Sequence, residues 1–474
     1  MLNIEDFITK PKSMLIAPAG YGKTYSIGKC LKYIQDNQLG KHLILTHTHA
    51  GVDSIKEKIA KLDVSHTCFN VETITSFAQK YVLAFSQKEL PKQEDKKKYY
   101  PFIIETANQI IKIKSVSKVI SNTYDGLFVD EYQDCTLKQH ELILTLSSIL
   151  PTHILGDFLQ GIFDFNEPIV DLTDQAIMGE FYDNKQELIT PWRWRNGNNE
   201  VLGNQLALVR TLLISNNSID LQQFNSIETF VSNDIYSDYR NYDMIFKLIK
   251  NEKSILIIDP VSVSIYSRIN FIQRFLNIPI LIESIDNEDF YKLSNAIDNL
   301  KSQNVLPTIK NICIELSNKT GIGIWFNEIG LKRKVKESDK ELLKPLQSNF
   351  SELQKNISLP IVLDTITKII KLPDVKCYRK ELFSSLCKAI KESIIDNILV
   401  YDSMVKRRNN VRRVGRKIYG KCVGTTLLTK GLEFETVVIL NAHKFKCPKH
   451  LYVAMTRASK RLIIFTNSIV LDPY

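Results

Sequence analysis

The chain has 474 residues, and its 62 lysines and arginines against 52 aspartates and glutamates give a net charge of +10. A chain this long holds more than one compact unit, and 44% apolar with 24% charged residues is ordinary for a folded protein, which excludes wholesale disorder. The basic balance fits transient contact with phosphate backbones without establishing it.

The eight cysteines are scattered, with no C-x-x-C pair and no histidine cluster at metal-ligand spacing. Neither a zinc site nor a disulfide framework is expected, and a reducing cytosol is the natural setting. Glu5 and Asp6 stand where a signal peptide needs basic residues followed by an apolar core. No uninterrupted apolar run is long enough for a bilayer. The expectation is a soluble cytoplasmic protein with no membrane partner.

The first quarter alternates short apolar runs with helical stretches. Residues 14–17 read as a buried strand, followed by a glycine-containing turn and a helix from Lys23. Residues 42–46 predict a second strand, with a helix after Gly51. Residues 126–130 and 153–156 predict two more strands, separated by a helix over 137–149. From 81 to 122 the pattern is helical and polar, as in a small insertion. A second α/β region starts near 200 with a strand over 254–259. Residues 300–410 are mainly helical and lysine-rich, and strands return over 436–440 and 461–465. The expected fold is α/β: two parallel-sheet units in tandem, each with a helical insertion. The expected division is 1–80 with 123–198, insertion 81–122, then 199–299 with 411–474, and insertion 300–410.

The run Ala17-Pro18-Ala19-Gly20-Tyr21-Gly22-Lys23-Thr24 sits where a strand meets a helix. Apart from Ala17 at the first glycine position, it fits the phosphate-binding loop. Gly20 and Gly22 let the backbone form a nest of N–H donors, Lys23 can reach the β- and γ-phosphates, and the Thr24 hydroxyl can ligate Mg²⁺. The bland alternative is a turn before an unrelated helix. Residues 129–134 read Val-Asp-Glu-Tyr-Gln-Asp and follow an apolar strand. Asp130 suits a Mg²⁺ ligand, and Glu131 suits the group that orients and deprotonates water. Next, Gln160 is a candidate sensor of the γ-phosphate or the attacking water. Phe163 and Phe165 alternate beyond it, as base-stacking rings or as core.

Taken in order, these motifs resemble the UvrD/Rep/PcrA-like superfamily 1 helicases. Residues 45–50 (L-T-H-T-H-A) are similar to T-x-T-N-x-A, and 73–77 (T-I-T-S-F) to T-x-H-S-F. Residues 129–134 match V-D-E-x-Q-D, 156–163 match G-D-x-x-Q-x-I-Y/F, and 191–195 (P-W-R-W-R) resemble the N-Y-R segment. Residues 424–434 end in K-G-L-E-F, and 451–461 contain Y-V-A-M-T-R-A.

The resemblance implies two RecA-like domains with ATP and Mg²⁺ between them. The first would supply Lys23, Thr24, Asp130, Glu131 and Gln160. The second would supply Arg457 as a finger on the γ-phosphate and a second arginine, Arg193, with Arg195 as its rival. Glu433 would approach the ribose, and Gly431 would let the backbone come close. A single DNA strand, or the junction of a strand with a duplex, would contact His47, Thr48, Ser76, Phe163, Phe165 and Trp194. Movement would run 3′ to 5′.

The chain departs from the family in four places. It has no glutamine segment before the loop to read adenine. His47 stands at an aromatic position, Leu427 at a histidine and Asp164 at an arginine. Both insertions are short, which weakens the expectation of duplex unwinding relative to ATP hydrolysis or translocation. With the last strand close to Tyr474, strand cutting would fall to a partner, by analogy with the UvrD-like subunit that accompanies an OLD-type nuclease in Gabija-type anti-phage systems. The basic run over 406–417 reads as a solvated helix face or as a contact for DNA or a partner.

Overall fold

The computed structural model describes residues 2–91, 95–163, 167–233, 239–260, 265–275, 278–283, 288–414, 418 and 420–474. Two parallel six-stranded sheets organise the chain. The first contains β1 Lys12–Ile16, β2 His42–Thr46, β3 Phe69–Thr73, β4 Gly126–Val129, β5 Thr152–Gly156 and β6 Lys185–Glu187. Their order is β3-β2-β4-β5-β1-β6. Strands β2, β4 and β5 are buried at every position, as their unbroken apolar runs require when helices cover both faces. Ile16 pairs with Gly156, and Val129 with Ile154. The loops that follow β1, β4 and β5 therefore emerge side by side at one edge.

The second half begins with β7 Ile219–Asp220, which pairs antiparallel with β14 Val470–Leu471. Its main sheet holds β8 Ile227–Val231, β9 Ile255–Ile258, β10 Ile280–Leu281, β11 Lys421–Gly424, β12 Phe434–Ile439 and β13 Ala458–Thr466. Their order is β10-β11-β9-β12-β13-β8. One apolar cluster runs from the first sheet (Leu15, Ile44, Phe128) into the second (Leu256, Val437, Leu462), so the two domains share a core.

Three boundaries differ from the sequence reading. Residues 81–122 are not a separate insertion. Helices Ile74–Phe85, Lys96–Ile111 and Lys114–Thr123 bring Val82, Ile103, Ala107 and Ile120 into one cluster with Met14, Leu43 and Leu127. They are a layer on the first sheet. The crossover between domains comes before 198. Trp194 Nε1 donates to the Ala458 carbonyl at 2.8 Å, and Asn199 donates to the Lys460 carbonyl. The helices Trp192–Asn196 and Glu200–Ile214 therefore sit on the second domain. The helical bundle starts at Glu288, because helix Glu288–Asp298 adds Leu293 and Ile297 to the core formed by Ile309, Trp325, Leu346, Ile366 and Leu386.

The start of the basic run is engaged within the bundle. Arg407 pairs with Glu392 at 2.6 Å, Lys406 with Asp396 at 3.2 Å, and Arg408 lies over the Tyr291 ring. Arg416, Lys417 and the side chains of Arg412 and Arg413 lie outside the described residues. Among the described residues no helix is long and apolar enough to cross a membrane.

Candidate active site

The loop after β1 is shaped by two glycines in the left-handed region, Gly20 at φ +79° and Gly22 at φ +90°. Gly20 is also packed. A Cβ there would lie 2.8 Å from the Trp194 ring and 2.9 Å from Arg193 Cβ. Gly22 leads into helix Lys23–Asp36, which turns the free N–H groups of its first turn toward the cleft. Ala17 does not join that nest: it is fully buried and its N–H donates to the Gly156 carbonyl at 3.0 Å. Tyr21 is likewise inward, its ring edge-on to Trp194. Pro18 and Ala19 are buried beneath the loop, and Thr24 is half-buried in the helix's first turn.

Lys23 Nζ lies 2.7 Å from Glu131 Oε1 and 4.0 Å from Asp130 Oδ1. Burial works to lower the Lys23 pKa, but the Glu131 and Asp130 carboxylates outweigh it and leave it raised. Burial drives Asp130 up, to about 6, with Lys23 pulling the other way. Burial also acts to raise Glu131, yet Lys23, Lys430 and a hydrogen bond from Gln133 bring it down to about 2. Glu131 itself stands in the left-handed region at φ +55°, a backbone conformation rare for a side-chain-bearing residue, which turns its carboxylate back over the loop.

Asp130 Oδ1 is buried with no hydrogen-bond partner. Among the described residues there is no cluster of three or more histidines, cysteines or acids that could cage a metal alone. A nucleotide-borne Mg²⁺ needs only one or two protein oxygens besides phosphate and water, so the orphaned Asp130 oxygen and the Thr24 hydroxyl fit it.

The second domain forms the facing wall. Arg193 Nε lies 2.7 Å from Glu433, its Nη1 donates to the Thr456 carbonyl, and its backbone N–H donates to the Gly20 carbonyl at 2.9 Å. Arg457 is 1% exposed and donates to the carbonyls of Val453 at 2.9 Å and Leu432 at 3.0 Å. Burial lowers its pKa, to about 9, and the neighbouring Arg193 adds to that. Arg195 points away, stacked over Trp192 and 4.0 Å from Glu200, so Arg193 is the one that faces the loop. Gly431, at φ +82°, has open space where a side chain would be. Glu433 is half-exposed at the mouth.

The proposed strand contacts separate. Trp194 is 0% exposed and cannot stack on a base: it fills the seam between Gly20 and Ala458, which corrects the sequence reading. His47 is turned inward, its Nε2 3.6 Å from Cys135 Sγ, and burial between Lys430 and Glu131 lowers it to about 4. It is half-buried and lines the cleft. Thr48 is exposed and caps helix His49–Ala60. Ser76 lines a surface groove with His49, Lys56, Glu72 and Thr73. Phe163 lies beneath the Lys430 ammonium, 4.4 Å from Nζ to ring centre. Phe165 is outside the described residues.

Gln160, together with residues that the sequence reading left without roles, completes the cleft. Lys430 reaches from the second domain to Asp134 at 2.7 and 2.6 Å, with side chains 7% and 2% exposed. Gln133 donates to Glu131 and accepts from the Asp157 N–H at 3.0 Å. Gln160 donates to Asp157 Oδ2 at 3.0 Å. The Tyr452 phenol hydrogen-bonds the backbone of Ala19. The Trp192 ring lies against Gly22, where an added Cβ would be 3.4 Å away. Lys430, Asp134, Gln133 and Tyr452 all lay inside the quoted motifs, which was a usable signal.

Residues 3–166 match the family model described as an AAA domain, and residues 345–466 match that of the viral superfamily 1 RNA helicase core domain. Among solved structures, the Pif1 helicase from Candida albicans aligns with 99% of this chain and 95% of its own, at 12% identity and a TM-score of 0.39. A search of curated proteins found no match. The phosphate-binding loop lies in the segment similar to an AAA domain, and Arg457 in the segment similar to a superfamily 1 helicase core faces it across one cleft, as in an ATP-hydrolysing enzyme.

Proposed function

We propose that this enzyme is a UvrD-like translocase that couples ATP hydrolysis to 3′-to-5′ movement along single-stranded DNA in the cytoplasm. The supporting observation is the split site: Lys23, Asp130 and Glu131 on one domain, Arg193 and Arg457 on the other. A nucleotide touching both walls binds the closed form better than the open one, and its hydrolysis removes that preference.

In this reading Lys23 leaves Glu131 for the β/γ-phosphates and frees that carboxylate for water. In the resting cleft Glu131 is ionised, at about 2, and the departure of Lys23 removes the main group that lowers it, so the carboxylate becomes a stronger base as the nucleotide binds. Thr24 and Asp130 would hold Mg²⁺, which when bound would supply charge neutralisation on the phosphates. Arg193 and Arg457 turn from Glu433 and the Leu432 carbonyl toward the γ-phosphate, where charge spreads as the bond breaks.

A second reading is a partner-regulated ATPase sensor in a Gabija-type anti-phage nuclease complex, with little unwinding. It is favoured by the layer over 81–122, whose described helices pack on their own sheet rather than standing off it as an arm for duplex. The experiment is displacement of streptavidin from either end of biotinylated oligonucleotides, run beside forked-duplex unwinding and with RNA in place of DNA. Displacement from the 5′ end of DNA supports the translocase. ATP turnover without displacement refutes it in favour of the sensor, and a preference for RNA refutes the DNA assignment.

A further inference from the structure

The second domain sends one more cation into the first, behind the nucleotide site. Arg210 lies on helix Glu200–Ile214, whose Leu202, Leu206 and Leu213 are buried in the shared core. Its Nη2 donates to Asp157 Oδ1 at 3.1 Å and its Nη1 to Glu187 Oε1 at 3.2 Å. The Arg210 side chain is 12% exposed and that of Asp157 is 0% exposed. A fully buried carboxylate needs a cation or several donors to remain charged. Among the described residues, Arg210 is the cation ion-paired to it.

Asp157 is also a junction. Its Oδ1 accepts from the Leu159 N–H at 3.3 Å and its Oδ2 from Gln160 Nε2 at 3.0 Å. Its own N–H donates to Gln133 Oε1 at 3.0 Å, and Gln133 Nε2 donates to Glu131. Glu131 then meets Lys23 at 2.7 Å. An unbroken polar path leads from a second-domain arginine to the residues assigned to water activation.

We propose that Arg210 is a positioning residue for ATP hydrolysis. By crossing the domain boundary to hold Asp157, it fixes Gln160 and, through Gln133, the carboxylate of Glu131. The hydrolytic set is aligned only while the second domain is seated. When the domains part, Arg210 withdraws, the Asp157 charge is left without its cation, Gln160 loses its fixed acceptor, and the Asp157 backbone N–H that holds Gln133 shifts with its side chain. Hydrolysis is thereby confined to the closed form. Glu187 is 52% exposed, so its contact with Arg210 is a weak surface pair. This inference rests on the site assignment made above.

The test is steady-state ATP hydrolysis with saturating oligo-dT on Arg210→Gln, Arg210→Lys, Glu187→Gln and Lys23→Ala. A geometric loss predicts that Arg210→Gln lowers kcat by roughly 10- to 100-fold with ATP KM within about threefold of wild type. Arg210→Lys should recover part of that loss, and Glu187→Gln should stay within about twofold. Arg210→Gln combined with Asp157→Asn should be no slower than Arg210→Gln alone, since both break one path. Wild-type kcat in Arg210→Gln, a change confined to KM, or multiplicative losses in the double variant would each overturn the proposal. If Arg210→Gln does not fold, Arg210→Lys decides: a lower kcat at unchanged KM supports the role, and wild-type kcat overturns it. Turnover retained in Lys23→Ala would instead show that the underlying site assignment had failed.

Discussion

Lys430→Met probes how the cleft is held shut. At 2.6 Å, the Lys430–Asp134 attraction is about 6 kcal/mol for an effective dielectric near 20, but most of this is offset by the loss of hydration. The net cost of losing Lys430 is bounded by the escape open to Asp134, which is to take a proton. Burial already pushes that carboxyl from 3.8 to about 7 against the pull of Lys430, so without the lysine it is neutral at pH 7. Because wild-type Asp134 already sits at about 7, holding that proton costs little more at pH 7 and about 1.4 kcal/mol for each unit above it, or about 2 kcal/mol at pH 8.5, below the ~3–5 kcal/mol typical of a broken buried pair. A penalty of about 2 kcal/mol on closure at pH 8.5 predicts a roughly 30-fold lower kcat/KM for DNA-stimulated ATP hydrolysis there.

The sign with pH follows from the raised folded pKa. The stability that Asp134 contributes is fully present below 3.8 and is lost as pH rises through about 7, so the Lys430→Met deficit grows between pH 6 and 8.5. Adding Asp134→Asn removes the carboxyl whose proton becomes costly to hold above pH 7 and should restore part of the activity at pH 8.5. Equal deficits at pH 6 and 8.5, or no recovery in the double variant, would refute the reasoning.

Gly20→Ala forces a side chain into a left-handed position 2.8 Å from the Trp194 ring, and should lower stability by roughly 2–4 kcal/mol in urea unfolding while weakening nucleotide binding. Buried His42 and His153 are lowered to about 4 and about 3 by burial, so both are neutral in the fold and protonate on unfolding below about 6.5. Unfolding free energy should therefore fall by about 3 kcal/mol between pH 6.5 and 5 from these two alone; an unchanged urea midpoint over that range would contradict their neutral burial.

Much of the architecture was legible because parallel strands buried on both faces appear as bare apolar runs. Residues 42–46 and 126–129 are such runs, and both are fully buried strands. Strands β3, with alternating burial, and β6, mostly exposed, lack that pattern and escaped notice. The layer over 81–122 looked like an insertion because its exposed faces are polar. Only the packing of Ile103 and Ile120 against Leu43 shows that it belongs to the sheet.

At the site, local motifs located the residues but not their orientation. Trp194 looked like a stacking ring because the tryptophan–arginine alternation does not say which residue faces inward. A short helix starting at Trp192 buries Trp194 and turns Arg193 to the loop. Arg210 carried no local pattern at all, since its partners Asp157 and Glu187 are brought to it by the fold.

The central claim is that Glu131 activates water in a cleft completed by both domains. Its most direct test is ATP turnover by the purified protein with and without single-stranded DNA, in wild type and in Glu131→Gln. The account predicts DNA-stimulated turnover that falls by at least about 100-fold in Glu131→Gln while nucleotide binding persists. Wild-type turnover in that variant would contradict it.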